Sequence, residues 1–267
     1  MIYKRFFKEG DVILFSLSYL VYRWIYLVSR YIKAPFESVE SIAINRIPKR
    51  EHQTKQEFQN HIMGSHEEPL PTLPEMISNR YKDTIPLDLE LDDSLVPSQL
   101  ATLSTILTHR TIRTFHSTPL PASTLPTLLA CAQSASTSSM LQTYSILAIR
   151  DTAHKAAVAQ LSGNQSFLHT APLFLIFCAD LHRMSGLATK YNQAGKPLEN
   201  LDMLLTATID ASIAGQNVAI AAEALGLGIC YVGGVRNCAA ELTALLRLPP
   251  RVFSLFGIAV GYADSSV

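Results

Sequence analysis

Three features of the sequence predict an α+β fold. Helical and extended patterns alternate along the chain without a clean βαβ repeat, which argues against a doubly wound parallel sheet. Residues 144–149 and 173–178 read as strands, the second a near-continuous apolar run. Residues 204–225 form a long helix that is apolar nearly all round, with Asp210 and Glu223 as its charges. Such a helix has to be buried on most sides, either deep in one domain or against a second subunit.

The elements follow in chain order. Residues 12–32 are mostly aliphatic and aromatic, with Arg23 at the middle and Arg30 near the end. A central Arg opposes membrane insertion by about 2.5–3.5 kcal/mol, which leaves spanning marginal. Ser16, Tyr19, Arg23, Tyr26, Arg30 and Lys33 recur at helical spacing, so 1–33 reads as an apolar amphipathic segment whose 12–33 stretch suits a membrane surface or a partner. No small-residue cleavage site follows it, and no secretory signal is expected. Met63 and Met76 offer alternative starts, which would place 1–62 outside the working protein. Residues 34–75 are charged, polar and proline-bearing, and read as a linker or disordered arm. The working domain is expected at 76–267.

Within it, Leu100, Leu103, Ile106 and Leu107 mark a helix that ends near His109, and a second helix is expected over 119–132. The polar run 134–139 interrupts. A strand at 144–149, a helix at 152–161 stopped by Gly163 and a strand at 173–178 come next. Gly226 and Gly228 break the long helix. A short strand leads into Gly233-Gly234, followed by a helix at 239–246 and a last strand at 252–260.

The composition excludes several classes. The chain has 267 residues, 48% of them hydrophobic, enough for a full core. Its formal net charge of +0 gives no case for nucleic acid. The four cysteines have no CxxC spacing, and Cys131 and Cys178 sit in apolar runs, as buried reduced thiols of a cytoplasmic protein would. No His/Cys/Asp/Glu cluster predicts a metal. GxGxxG, GxSxG, a Walker lysine and HExxH are all absent.

Two distant segments carry the functional reading. His109-Arg110-Thr111-Ile112-Arg113 gathers cations around a hydroxyl, which suits an anionic group. Tyr231-Val232-Gly233-Gly234-Val235-Arg236-Asn237 offers bare backbone N–H groups where a flat ligand can approach closely. A basic clamp with a glycine platform suits a phosphorylated planar cofactor, read here as FMN. Taken singly, each has an ordinary explanation. Cations answer a helix dipole, serine runs are loops, Gln165 is a surface amide and Gly-Gly is a turn.

In this order, HRTIRTF, SASTSSMLQTYS, LSGNQSFLHTAPLFLIFCADL, IDASIAGQNVAIAAEALGLGICYVGGVRN and LRLPPRVFSLFGIAVGY resemble the oxygen-insensitive NADPH nitroreductase and flavin reductase group of the FMN nitroreductase family. The resemblance implies a central mixed β-sheet flanked by helices, in a domain-swapped homodimer. It assigns His109, Arg110, Thr111 and Arg113 to the FMN phosphate and its neighbourhood. Thr137, Ser138 and Ser139 would reach the flavin from the partner subunit, Gln165 would hydrogen-bond it, and Tyr231, Val232, Gly233 and Gly234 would line its ring near N5. Arg236 would shape the substrate mouth. Two electrons would pass from NADPH through flavin N5 to a nitroaromatic, a quinone or free flavin, with no catalytic side chain required. Family members continue after the Gly-Tyr segment into a Lys-Pro-Arg-Leu-Pro stretch, whereas here Gly261-Tyr262 is followed by Ala263-Asp264-Ser265-Ser266-Val267. That departure predicts looser FMN binding and slight NADPH selectivity. Its alternative outcome is a dimeric flavin-binding protein with little turnover.

Overall fold

A computed structural model describes residues 12–15, 70–82, 95–193 and 195–264. Its elements are β1 (Val12–Phe15), α1 (Leu73–Tyr81), α2 (Pro97–Leu107), α3 (Thr124–Gln133), β2 (Tyr144–Ile149), α4 (Thr152–Leu161), α5 (Ser166–Thr170), β3 (Leu173–Asp180), α6 (His182–Lys190), α7 (Leu201–Ala224), β4 (Gly228–Val232), α8 (Ala239–Leu245) and β5 (Val252–Gly261). Among these, α1 and α2 fall in one compact unit, and β1 together with everything from His109 onward falls in another.

In the smaller unit, Thr72 caps α1, its backbone N–H donating to Glu75 Oε2 at 2.8 Å, and Arg80 Nη1 donates to the Leu107 carbonyl at 3.3 Å. Helix α1 begins at Leu73, so the last residues of the stretch read as a linker are helical.

The larger unit is a five-stranded sheet in the order β1-β2-β3-β5-β4. All its strand pairings are antiparallel, and the parallel component among the described residues is one isolated bridge, Thr111 to Ile229. The α+β class holds, but the sheet within this chain is antiparallel where a mixed one was expected. Val12–Phe15, the start of the predicted amphipathic helix, is a strand paired with β2; the rest of 12–33 lies outside the described residues. Among the described residues, no helix is long and apolar enough to cross a membrane.

Strand alternation divides the interior in two. Ile146, Ala148, Leu175, Phe177, Ile229 and Ile258 face α3 and α7; Leu147, Ile149, Phe174, Ile176, Cys178 and Val232 face α4, α5 and α8. Both faces are covered, which explains the continuous apolar strands. Helix α7 lies close on the sheet through small residues: Ala207, Ala211, Ala214, Ala219 and Ala222 are buried, and a Cβ at Gly215 would meet the Phe256 ring at 2.7 Å. Its opposite side is left uncovered by the described residues. Leu201, Leu204, Leu205, Ile209 and Ile213 stay exposed, so the second of the two fates expected for this helix is the one left open.

Burial also sets a pH limit. The Tyr144 hydroxyl donates to the Ala132 carbonyl at 3.3 Å, and burial, with Asp210 nearby, pushes its pKa up to about 12. Burial pushes the Cys178 thiol up to about 12 as well. Both groups hold their protons more tightly folded than unfolded. Their contribution is complete below the ordinary values of 9.0 for the thiol and 10.0 for the phenol, and it is lost as pH climbs towards 12. The urea midpoint should therefore be level up to about pH 8 and fall steadily above about pH 9. Cys178→Val should remove the earlier part of that fall.

Candidate functional site

The first motif is fixed along the edge of β4. Ile112 N–H donates to the Ile229 carbonyl at 2.9 Å, and farther on His116 N–H donates to the Tyr262 carbonyl at 3.0 Å. The segment approaches so closely that a Cβ at Gly228 would sit 2.8 Å from Ile112 Cγ1. Arg110, Thr111 and Arg113 are exposed on this edge. Burial pushes the Cys230 thiol up, and the Arg113 charge beside it opposes that pull. Arg110 makes no hydrogen bond or ion pair among the described residues, which leaves its five donors for a ligand. His109 is oriented from α7, its Nδ1 lying 2.6 Å from Glu223 Oε1.

The second motif is the continuation of the same strand. From Ile229 to Gly233 is four residues, about 13 Å of extended chain. Gly233–Arg236 then forms a tight 3-10 turn. The loop carrying Gln165 docks on this turn. A Cβ at Gly234 would lie 2.2 Å from the Ser162 carbonyl oxygen and 3.6 Å from Gln165 Nε2, while one at Gly163 would lie 3.4 Å from Asn237 Nδ2. Gln165 is half-buried, and its amide has no hydrogen bond among the described residues. Tyr231 is exposed at the lip, its hydroxyl donating to Gln216 Oε1 at 3.2 Å and its ring tilted against Phe256 at 5.5 Å. Burial and then the Glu223 charge push its phenol up to about 12, so it stays a neutral donor at physiological pH. Arg236 folds back: its guanidinium donates to the Leu255 carbonyl and lies 3.2 Å from where a Gly233 Cβ would be.

His109, Arg110, Thr111, Arg113, Gln165, Tyr231, Val232, Gly233 and Gly234 therefore share one edge of the sheet, with cations at one end and a glycine turn beside a free amide at the other. This donor set fits a flat ligand that carries an anionic group on a flexible stem. Thr137, Ser138 and Ser139 are not brought there. Ser138 N–H donates to Asp210 Oδ1 at 2.9 Å. Asp210 lies thirteen residues before Glu223 on α7, about 20 Å along the helix from the His109 end. Sequence reasoning left Glu223, Gln216, Ser162 and Asn237 without a role. The signal for Glu223 was its place as one of two charges in an apolar helix.

The nitroreductase family model matches residues 106–262, more than half of the chain. The chain belongs to the nitroreductase family. Among its relatives is an FMN reductase (NADPH) of Bacillus subtilis, 46% identical over 162 residues, a match spanning 60% of this chain and 65% of that protein. An oxygen-insensitive NADPH nitroreductase of Salmonella typhimurium is 37% identical over 161 residues, again 60% of this chain and 65% of the relative. This nitroreductase-family chain thus spans less than two thirds of the length of these relatives. The solved structure of a Bacillus subtilis nitroreductase is 44% identical, with a TM-score of 0.61 over 62% of this chain and 68% of that one. The family match covers both edge motifs, the serine run and α7.

Proposed function

We propose that this protein is an FMN-dependent oxidoreductase that takes two electrons from NADPH and passes them to a nitroaromatic, a quinone or free flavin. The convergence of His109–Arg113 and Gly233–Gly234 on one strand, β4, carries this reading. The names of the relatives support it: FMN reductase (NADPH) and oxygen-insensitive NADPH nitroreductase. Bound at this edge, FMN supplies the two-electron chemistry. The chain supplies position and charge. Arg110 and Arg113, with the Thr111 hydroxyl, hold the phosphate through charge-assisted hydrogen bonds. Glu223 accepts from His109 Nδ1–H, which fixes the ring beside the same anionic group. Gln165 satisfies a polar ring edge, and the backbone N–H groups near Gly233 and Gly234 steady negative charge there. Arg236, bonded to Leu255, borders the mouth through which acceptor and NADPH reach the ring.

The working unit is a symmetric, domain-swapped homodimer. The exposed apolar stripe of α7 supports this assembly, as does the distance between the serine run and the cations of its own chain. Thr137, Ser138 and Ser139 then serve the cofactor of the other subunit. The reading also takes the protein to be cytoplasmic.

Two measurements test the reading. The purified protein should show oxidised-flavin absorbance that NADPH bleaches without oxygen and that a nitroaromatic restores; flavin that binds without bleaching would mean binding without turnover. Arg110→Ala should weaken FMN binding by about 1.5–3 kcal/mol, roughly ten- to a hundredfold in Kd. Equal Kd values for the two proteins, by fluorescence titration, would remove Arg110 from the site.

A further inference from the structure

The loop between α3 and β2 is held in an unfavourable shape by a side chain for which the function has so far needed no role. Residues 134–143 contain no glycine, yet Ser139, Met140 and Gln142 adopt φ values of 50°, 55° and 52°. Left-handed backbone is disfavoured for residues with a Cβ, and three such residues within four do not arise from local preference. Surrounding contacts have to impose them.

Those contacts come from two sides. Asp210 is fully buried on α7, and its carboxylate accepts three hydrogen bonds from the loop. These run from Ser138 N–H at 2.9 Å, Thr143 N–H at 3.1 Å and the Thr143 hydroxyl at 3.0 Å. Arg183 on α6 donates to the Leu141 carbonyl at 2.7 Å and to the Gln142 carbonyl. The loop is gripped at its base while its tip stays out: Gln142 and Thr143 are buried, and Ser138, Ser139 and Met140 are exposed. The neighbours of Asp210 on the outer side of α7, Ile209 and Ile213, belong to the exposed apolar stripe. One short stretch of helix thus carries both the latch and the surface for a second copy.

We propose that Asp210 is a positioning residue whose buried carboxylate, together with Arg183, latches the 137–143 loop in the left-handed shape that presents Ser138 and Ser139 to FMN in the partner subunit. The proposal rests on the dimeric, FMN-binding reading above. It makes the serine loop a preformed tool of the neighbouring site, set by the helix through which the two chains dock. Asp210→Asn keeps the size of the side chain but turns an amide N–H₂ towards a backbone N–H, so one grip is lost.

The test is complementation between subunits. Asp210→Asn and Arg110→Ala homodimers should each bind FMN on the order of tenfold or more weakly than wild type. A heterodimer of the two, isolated with different affinity tags, should regain one site of wild-type affinity. That site joins the intact cations of the Asp210→Asn chain to the intact loop of the Arg110→Ala chain. If both heterodimer sites stay weak, or if Asp210→Asn binds as wild type, the latch is wrong. A wild-type protein that takes up no FMN overturns the underlying reading and the latch with it. Should Asp210→Asn fail to fold, Arg183→Met replaces it in the same heterodimer, with the same two outcomes deciding.

Discussion

Gly234→Ala should destabilise the protein by about 3 kcal/mol, the upper part of the range for overpacking, and should abolish cofactor retention. The added Cβ would stand 2.2 Å from the Ser162 carbonyl oxygen and 2.9 Å from its carbon. The obstacle is backbone, so no side chain can swing aside. Nor can the 162–165 loop retreat freely, because Ser162 is fully buried and Asn164 N–H is bonded to the Ala159 carbonyl at 2.7 Å. Relief has to come from parting the glycine turn and the Gln165 loop, which dismantles the end of the site that faces the ring. Gly226→Ala is the control. Gly226 has φ +72° with nothing within 4 Å of a new Cβ, so that variant carries only the left-handed backbone term of about 1–2 kcal/mol. Urea unfolding and FMN titration of both variants decide. If Gly234→Ala matches Gly226→Ala in stability and binds FMN as wild type does, the two loops are not in the contact described.

Local pattern carried the elements it governs directly. The bounds predicted at 144–149 and 152–161 match β2 and α4, because a short, mostly apolar run and a glycine stop are local signals. Helix α3 starts at Thr124 rather than at 119, since Pro119 and Pro121 shape the turn before it; Pro126 is accommodated in the first turn, where its missing N–H is not needed. The short helix α5 and the polar helix α6 went unread because neither carries a long apolar stripe.

Of the candidate site, the residues with distinctive chemistry were legible: the cation cluster, the glycine pair and the serine run. What holds them was not. His109 meets Glu223 across 114 positions and Ser138 meets Asp210 across 72, and periodicity over a dozen residues contains no such pairing. Nor could it say which side of α7 stays open, because that depends on where the sheet and α3 lie.

That open side yields the other large effect: Leu205→Asp combined with Ile209→Asp should give a folded monomer that has lost FMN. The two side chains are 51% and 54% exposed on the chain alone, so docking a second copy removes the remaining half from water. Burying half of such a side chain contributes about 1 kcal/mol. In a two-fold interface each substitution occurs twice, so four side chains are affected, for about 4 kcal/mol in all. That is roughly a thousandfold in the dimer Kd, before the desolvation of four carboxylates is added. The fold of each chain should survive, because neither residue belongs to the buried core. FMN should be lost with the dimer, since the serine loop then has no neighbouring site to serve. Light scattering and circular dichroism separate the outcomes. A variant still dimeric at micromolar concentration would show that the stripe is not the interface. A folded monomer retaining FMN at wild-type affinity would show that each chain completes its site alone.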